Sequence, residues 1–189
     1  MPELIVDFIT SLDGYGAGEG WPGYWGVESQ DYLAWLATQP SSTALMGATT
    51  YRLLSGFAAD GEPGLDDLTE RQKIVFSSTL TEPLSWANSR LVSGDAVETV
   101  RQLKESGSEP LCTIGSMSLC RTLLSAGLAD RFRVVVFPFI TGATGRERIY
   151  DGYPDLALDV VESRTFDPGL QLLDYVPRLL DGPPGVSGP

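Results

Sequence analysis

The chain of 189 residues contains no histidine. That removes the Ser-His-Asp and Cys-His arrangements of nucleophilic catalysis, and with Cys112 and Cys120 as the only thiols it removes ordinary zinc sites as well. Basic residues are few: 13 Lys and Arg stand against 25 Asp and Glu, a net charge of −12. General attraction to nucleic acid or to an anionic membrane calls for clustered cations, so this balance opposes both partner classes, and any bound anion must be gripped locally. No apolar run reaches the roughly 18 residues of a membrane span, and the opening MPELIVDFIT lacks the basic region and long apolar stretch of a secretory signal. The expectation is a cytosolic, cytoplasmic protein with two reduced cysteines, one in a strand and one in the helix after it.

What is present fits one globular domain: 42% hydrophobic and 20% charged residues, in a chain long enough to bury most of its apolar surface. Short apolar runs ending in Gly, Ser or Thr read as buried strands at 3–10, 43–47, 73–78, 90–94 and 111–115. Helical spacing falls between and after them, at 28–38, 48–55, 96–106 and 116–126, with Tyr32, Leu33, Leu36 and Ala37 along one side of the first. Alternation of this kind predicts a largely parallel α/β sheet with right-handed crossovers. The pattern then changes. A strand at 130–139 is followed by LALDVVESRTF and LQLLDYVP around Asp167-Pro168-Gly169, an antiparallel hairpin. The expected total is eight strands and four helices, with a surface loop at 57–72, a domain spanning 1–177 and a disordered tail over 178–189.

Several strand ends look alike. Gly47 precedes ATTYRLL, Gly94 precedes DAVETVRQL, Gly115 precedes SMSLCRTLL, and Ser77-Ser78 close the strand between the first two. Helix N-termini at such corners offer unpaired N–H groups and the positive end of a dipole, so together they suggest an extended, phosphate-bearing ligand. In the last corner Ser116 is placed to cap the helix, Leu119, Leu123 and Leu124 face the sheet, and Gly127 ends it.

Five motifs in register, SLDG (11–14), LMGATTY (45–51), KIVFSSTL (73–80), TIGSMSL (113–119) and LLSAGLAD (123–130), followed by a strand ending in Pro138, resemble the dihydrofolate reductase-like superfamily. The resembling branch is the reductase domain of riboflavin-biosynthesis deaminase-reductases (RibD C-terminal domain-like), and the resemblance covers about 3–177. It implies a three-layer α/β fold, NADPH as cofactor with NADH as the alternative, and a homodimer as the assembly to test. It also implies residue roles. Gly47 and Thr50 would meet the pyrophosphate, Ser77 and Ser78 the adenosine 2′-phosphate, and the turn Ile114, Gly115, Ser116, Met117, Ser118 and Leu119 the pyrophosphate and nicotinamide side. Ala48 and the Gly115-Ser116 pair depart from the arginine-bearing versions of these motifs; Lys73, Arg52 and Arg90 are the candidates to compensate, the alternative being that each is an ordinary solvated surface charge.

Hydride transfer asks the protein for orientation, exclusion of water and, for a C=N or C=O acceptor, a proton. Asp7 interrupts LIVDFIT, where an unpaired buried carboxylate would be costly and would tend towards a raised pKa, and it shares a strand face with Ile5 and Ile9; the alternative is a carboxylate that is paired or points to solvent at an edge. Asp31 and Tyr32 open DYLAWL, a stretch resembling the helix that bears the substrate-binding acid of dihydrofolate reductases; Tyr32 falls at the acid's place and Asp31 one residue early. The segment 13–26, with six glycines and Tyr15, Trp21, Tyr24 and Trp25, suits a lid over a flat heterocycle, the alternative being an aromatic clamp on the domain's own surface or on a dimer partner. Ile9, Ser11, Asp13, Trp25, Thr141 and Gly142 complete the expected substrate pocket. The resulting expectation is an NADPH-dependent reductase of a pterin-like or pyrimidine-like heterocycle. Its rivals are a flavin-binding protein on the same strand ends and a non-catalytic nucleotide-binding or interaction domain.

Overall fold

The computed structural model describes residues 1–24 and 26–185. Its main sheet has eight strands in the order β5-β4-β3-β6-β1-β7-β10-β9, mixed and mostly parallel. Contacts divide the chain into two compact units, Met1–Val6 with Pro40–Ala129 and Asp7–Gln39 with Asp130–Pro189. Strand β1 (Leu4–Ser11) therefore contributes its first residues to one unit and the rest to the other.

In the first unit, β3 (Thr43–Gly47) pairs in parallel with β4 (Lys73–Phe76) and β6 (Leu111–Thr113), and β4 pairs with β5 (Ser89–Val92). Helices α4 (Ala96–Ser106) and α5 (Met117–Ser125) cover one face, where Leu4, Leu45, Ile74, Val100, Leu111, Leu119 and Leu123 form a core. Side chains as fully buried as Leu45 and Leu123 contribute about 2 kcal/mol each through loss of apolar contact with water. Helix α2 (Ala48–Ala59) packs against β3 and β4. The expected loop at 57–72 is partly helical. α2 runs through Gly56 to Ala59, and α3 (Asp66–Glu70) follows, its first turn carrying Asp66 and Asp67 where negative charge meets the helix dipole.

In the second unit, β7 (Arg131–Phe137) and β9 (Leu156–Phe166) flank β10 (Leu170–Leu179), all antiparallel, so the C-terminal hairpin stands as expected and β10 extends two residues beyond 177. Helix α1 (Gln30–Leu36) is capped by Ser29, whose Oγ accepts from Tyr32 N at 3.1 Å. Its buried residues are Tyr32 and Trp35; Leu33 and Ala37, expected along one side with Tyr32 and Leu36, are exposed. Tyr32, Trp35, Tyr24, Val135, Phe137, Phe166, Leu170 and Leu172 form the core, with Ile9 packed against it. Two further strands went unread in the sequence: β2 (Tyr15–Gly18) and β8 (Gly145–Arg148) form a separate antiparallel ribbon, because glycine-rich, charged segments carry no apolar alternation to announce a strand. The expected tail falls in part outside the described residues, which end at 185. Among the described residues no helix is long and apolar enough to cross a membrane.

Candidate functional site

In the first unit the decisive corner is β6 to α5. The chain leaves β6 through Gly115 (φ +54) and Ser116 (φ 66, ψ 74), two successive left-handed residues. Ser116 was expected to cap α5, yet its side chain makes no capping bond. The left-handed backbone instead turns Oγ towards the neighbouring corner, where it accepts from Gly47 N at 2.6 Å and shares a hydrogen with Thr50 Oγ1 at 2.8 Å. A Cβ on Gly47 would stand 3.1 Å from Ser116 Oγ, so the close approach favours glycine there. Ile114 N donates to Leu45 O and Cys120 Sγ to Gly115 O, which fixes the turn from both sides.

Neither α2 nor α5 has a side-chain cap. The first backbone donors of both helices, around Ala48 to Thr50 and Met117 to Leu119, therefore have the polarity and position to hold an anion. Helix α4 differs. Asp95 Oδ1 accepts from Val97 N at 2.8 Å and Glu98 N at 3.1 Å, so the turn after Gly94 already holds a carboxylate and drops out of the phosphate-binding set.

Past the end of β4, Ser77 Oγ accepts from Thr79 N and Leu80 N, Ser78 is exposed, and Arg52 donates to Thr79 Oγ1 at 3.1 Å. Of the three cations considered as compensation, Lys73 is already engaged: it is buried, donates to the carbonyls of Leu68, Thr69 and Arg71, and lies 4.7 Å from the Trp86 ring centre. Arg52 is the one attached to the serine turn. A cavity of about 620 Å³ in this unit, bordered by Ser55, Ala58, Leu65, Thr69, Ser85 and Trp86, includes none of the residues singled out in the sequence.

In the second unit Asp7 belongs to a row of alternating charge that the sequence reading missed. Arg133 NH1 lies 3.6 Å from Asp7 Oδ2; Arg133 Nε bonds Asp174 Oδ2 at 3.2 Å; Arg131 grips both Asp174 oxygens at 2.9 and 2.7 Å. The Trp35 ring centre is 5.1 Å from the Arg133 guanidinium. Asp7 keeps 23% of its side-chain exposure while Asp174 keeps 1%. Burial pushes the Asp7 carboxyl up from 3.8 to about 6, opposed by Arg133 and assisted by the negative charge of Asp174. The signal that marks Asp7, a charge interrupting an apolar strand, is equally present at Arg133 in RFRVVVF and at Asp174 in LQLLDYVP.

The remaining expected residues separate. Asp31 is exposed in the first turn of α1, and Tyr32 is buried against Trp35 and Phe166. Asp13 accepts from Ser11 Oγ at 2.6 Å, Thr141 N at 3.2 Å and Gly142 N at 2.8 Å, and these donors, led by the Ser11 hydroxyl, hold its pKa below the usual range. Ser11, Asp13, Thr141 and Gly142 thus meet as one latch between two loops. The aromatic segment is a clamp on its own unit. Tyr24 is buried and donates to Tyr15 O, and Trp21 stacks on Phe139 with ring centres 5.3 Å apart. Glycine content suggested a mobile lid; the ring packing fixes these side chains instead. Trp25 lies outside the described residues.

Among families of known proteins, the model described as the RibD C-terminal domain matches residues 2–172. The curated protein YyaP of Bacillus subtilis (strain 168), itself uncharacterized, is 26% identical over 91% of this chain and 93% of its own length. A solved structure from Shewanella sp. PV-4, titled for riboflavin biosynthesis, superposes with a TM-score of 0.73 at 23% identity, covering 93% of this chain and 99% of that one. A pyrimidine reductase-like protein of Corynebacterium diphtheriae gives 0.64 at 16% identity, covering 94% and 92%. The Thermotoga maritima diaminohydroxyphosphoribosylaminopyrimidine deaminase/5-amino-6-(5-phosphoribosylamino)uracil reductase gives 0.63 at 18%, and the match spans 94% of this chain and 57% of that longer one. At these identities the structural likenesses show the fold.

Proposed function

Because this chain belongs to the RibD C-terminal domain family, we propose that it is a cytoplasmic NADPH-dependent oxidoreductase that transfers hydride to a pterin-like or pyrimidine-like heterocycle. The observation that supports this reading best is the pair of uncapped helix N-termini, α2 and α5, tied together through Ser116, beside an α4 whose own N-terminus is filled by Asp95. Two such termini suit the two phosphates of a dinucleotide, gripped without arginine by backbone donors. Ser77, Ser78 and Arg52 would take the adenosine 2′-phosphate, with Arg52 standing in for the cation that Ala48 does not supply.

A bound nicotinamide cofactor would supply the hydride to the carbon of a C=N bond. Asp7 would supply the proton to its nitrogen and then regain one from water, to which its side chain remains partly open. The Asp13 latch would hold Thr141 and Gly142 in place while Trp21 packs edge-on against Tyr24.

Calorimetric titration of the purified chain with NADPH and, separately, NADH tests the cofactor assignment. One site per chain with tighter NADPH binding is the expected result. Absence of binding to either, or a purified protein coloured yellow by flavin, would overturn it in favour of a binding domain or a flavoprotein.

A further inference from the structure

The cavity of about 620 Å³ in the first unit lies at the carboxyl end of α2, the end opposite the cofactor corner. Three segments build it, and each is fixed. Helix α2 closes beside it in a two-bond cap: Gly61 N donates to Ala58 O at 3.2 Å and Glu62 N to Phe57 O at 3.0 Å, with Gly61 left-handed at φ +74. That cap sets where Glu62 leaves the helix. Leu65, buried, precedes α3, and Thr69 N donates to its carbonyl at 2.8 Å, which places Asp66 at the cavity's second side. Trp86 is buried on the third. Its backbone N–H donates to the Tyr51 hydroxyl at 3.1 Å and its indole N–H to Thr69 Oγ1 at 3.0 Å.

The charge around this space has one sign. Glu62 and Asp66 border it, and among the described residues neither has an ion-pair partner, whereas the adjacent Asp67 is taken by Arg71. No Lys or Arg is among the described residues that border it, and Lys73 behind the wall is spent on the carbonyls of Leu68, Thr69 and Arg71. Glu62 also stands just past the carboxyl end of α2, where the helix dipole disfavours negative charge and favours a cation. The rest of the wall is largely apolar, formed by Ala58, Leu65 and the Trp86 indole. Lys73 Nζ already lies 4.7 Å from that ring's centre, so the indole is better placed to take a carbon chain than a second cation. Among the described residues no three acidic or thiol side chains gather as metal ligands, so the cation that suits these walls is organic.

We propose that this cavity is a second binding site, separate from the cofactor corners, for a protonated aliphatic amine: its ammonium meets Glu62 and Asp66, and its carbon chain lies against Leu65 and Trp86. An anionic dinucleotide is disfavoured there by the same two carboxylates and helix end.

The test follows the Trp86 indole N–H by NMR while hexylammonium, hexanol and hexanoate, which share one carbon chain, are each titrated into the full chain. Hexylammonium should give a saturable shift, hexanol should bind about fivefold or more weakly, and hexanoate should give no shift. Glu62→Gln with Asp66→Asn should weaken hexylammonium about fivefold or more. Ala58→Leu, which fills the space without changing charge, should abolish the shift. Glu105→Gln with Glu109→Gln removes the same charge from exposed positions of the same unit and should leave binding unchanged. A shift that never saturates, an equal response to hexanol or hexanoate, or equal weakening by the two double variants overturns the proposal and leaves only general attraction to a chain of net charge −12. If A58L or the E62Q/D66N protein does not fold, the three ligands on the wild type still decide. No NADPH is present in the titration, so its outcome is independent of the reductase reading.

Discussion

Asp7 is the carboxylate of the second unit whose pKa is raised, beside Arg133. Its folded pKa of about 6 lies above the ordinary 3.8, so between those values the folded chain binds more protons than the unfolded one, and stability falls as pH rises through that window. Replacing Asp7 by Asn removes this half-buried charge. D7N should melt higher than the wild type at pH 7 by the equivalent of about 1–3 kcal/mol, with the gap closing towards pH 4, while turnover at pH 7 falls about 100-fold. Thermal melts at both pH values and initial rates check the two halves. Higher stability with unchanged turnover would remove Asp7 from the mechanism while leaving its burial intact. Asp7 was legible in the sequence because a charge in an apolar strand must be explained within that strand. Arg133 and Asp174 carry the same signal in RFRVVVF and LQLLDYVP, but that they meet each other depends on the register of β7 against β10, which sequence spacing does not carry.

Helix ends separate the corners that look alike. Glycine precedes α2, α4 and α5 equally in the sequence, and the difference lies in what satisfies the first backbone donors. Asp95 caps α4 through its carboxylate. Ser116 reads as a cap in the sequence, but two successive left-handed residues redirect its hydroxyl to Gly47 and Thr50, a geometry that a serine before a helix does not announce. The expected consequences are opposite. Asp95→Ala should destabilise the chain by about 1 kcal/mol and leave NADPH affinity unchanged. Ser116→Ala should cost a similar amount by leaving Gly47 N–H without its acceptor, and should also weaken NADPH about fivefold or more as the two corners loosen. Denaturant melts with parallel NADPH titrations distinguish the two variants; equal effects on affinity would mean that the corners are only strand-to-helix turns.

At the scale of the whole molecule, the alternation of parallel strands with helices, the C-terminal hairpin and most element boundaries followed from apolar runs and turn signals. The β2–β8 ribbon and α3 did not, since glycine-rich and acidic segments fold there on local pairing and helix polarity. The net charge of −12 sets a further condition. On the proposed reading an anionic cofactor would approach against long-range repulsion and be held by short-range donors, so raising ionic strength from about 0.01 to 0.1 M, which shortens screening from about 30 to 10 Å, should speed NADPH association. Stopped-flow rates that fall with salt would indicate a basic steering surface instead.

The central claim is that the N-termini of α2 and α5 hold the cofactor's phosphates. Amide hydrogen exchange with and without NADPH tests it most directly. The account predicts added protection at Ala48 to Thr50 and Met117 to Leu119, with the start of α4 at Ala96 to Glu98 unchanged; protection absent from both corners, or appearing at α4, would contradict it.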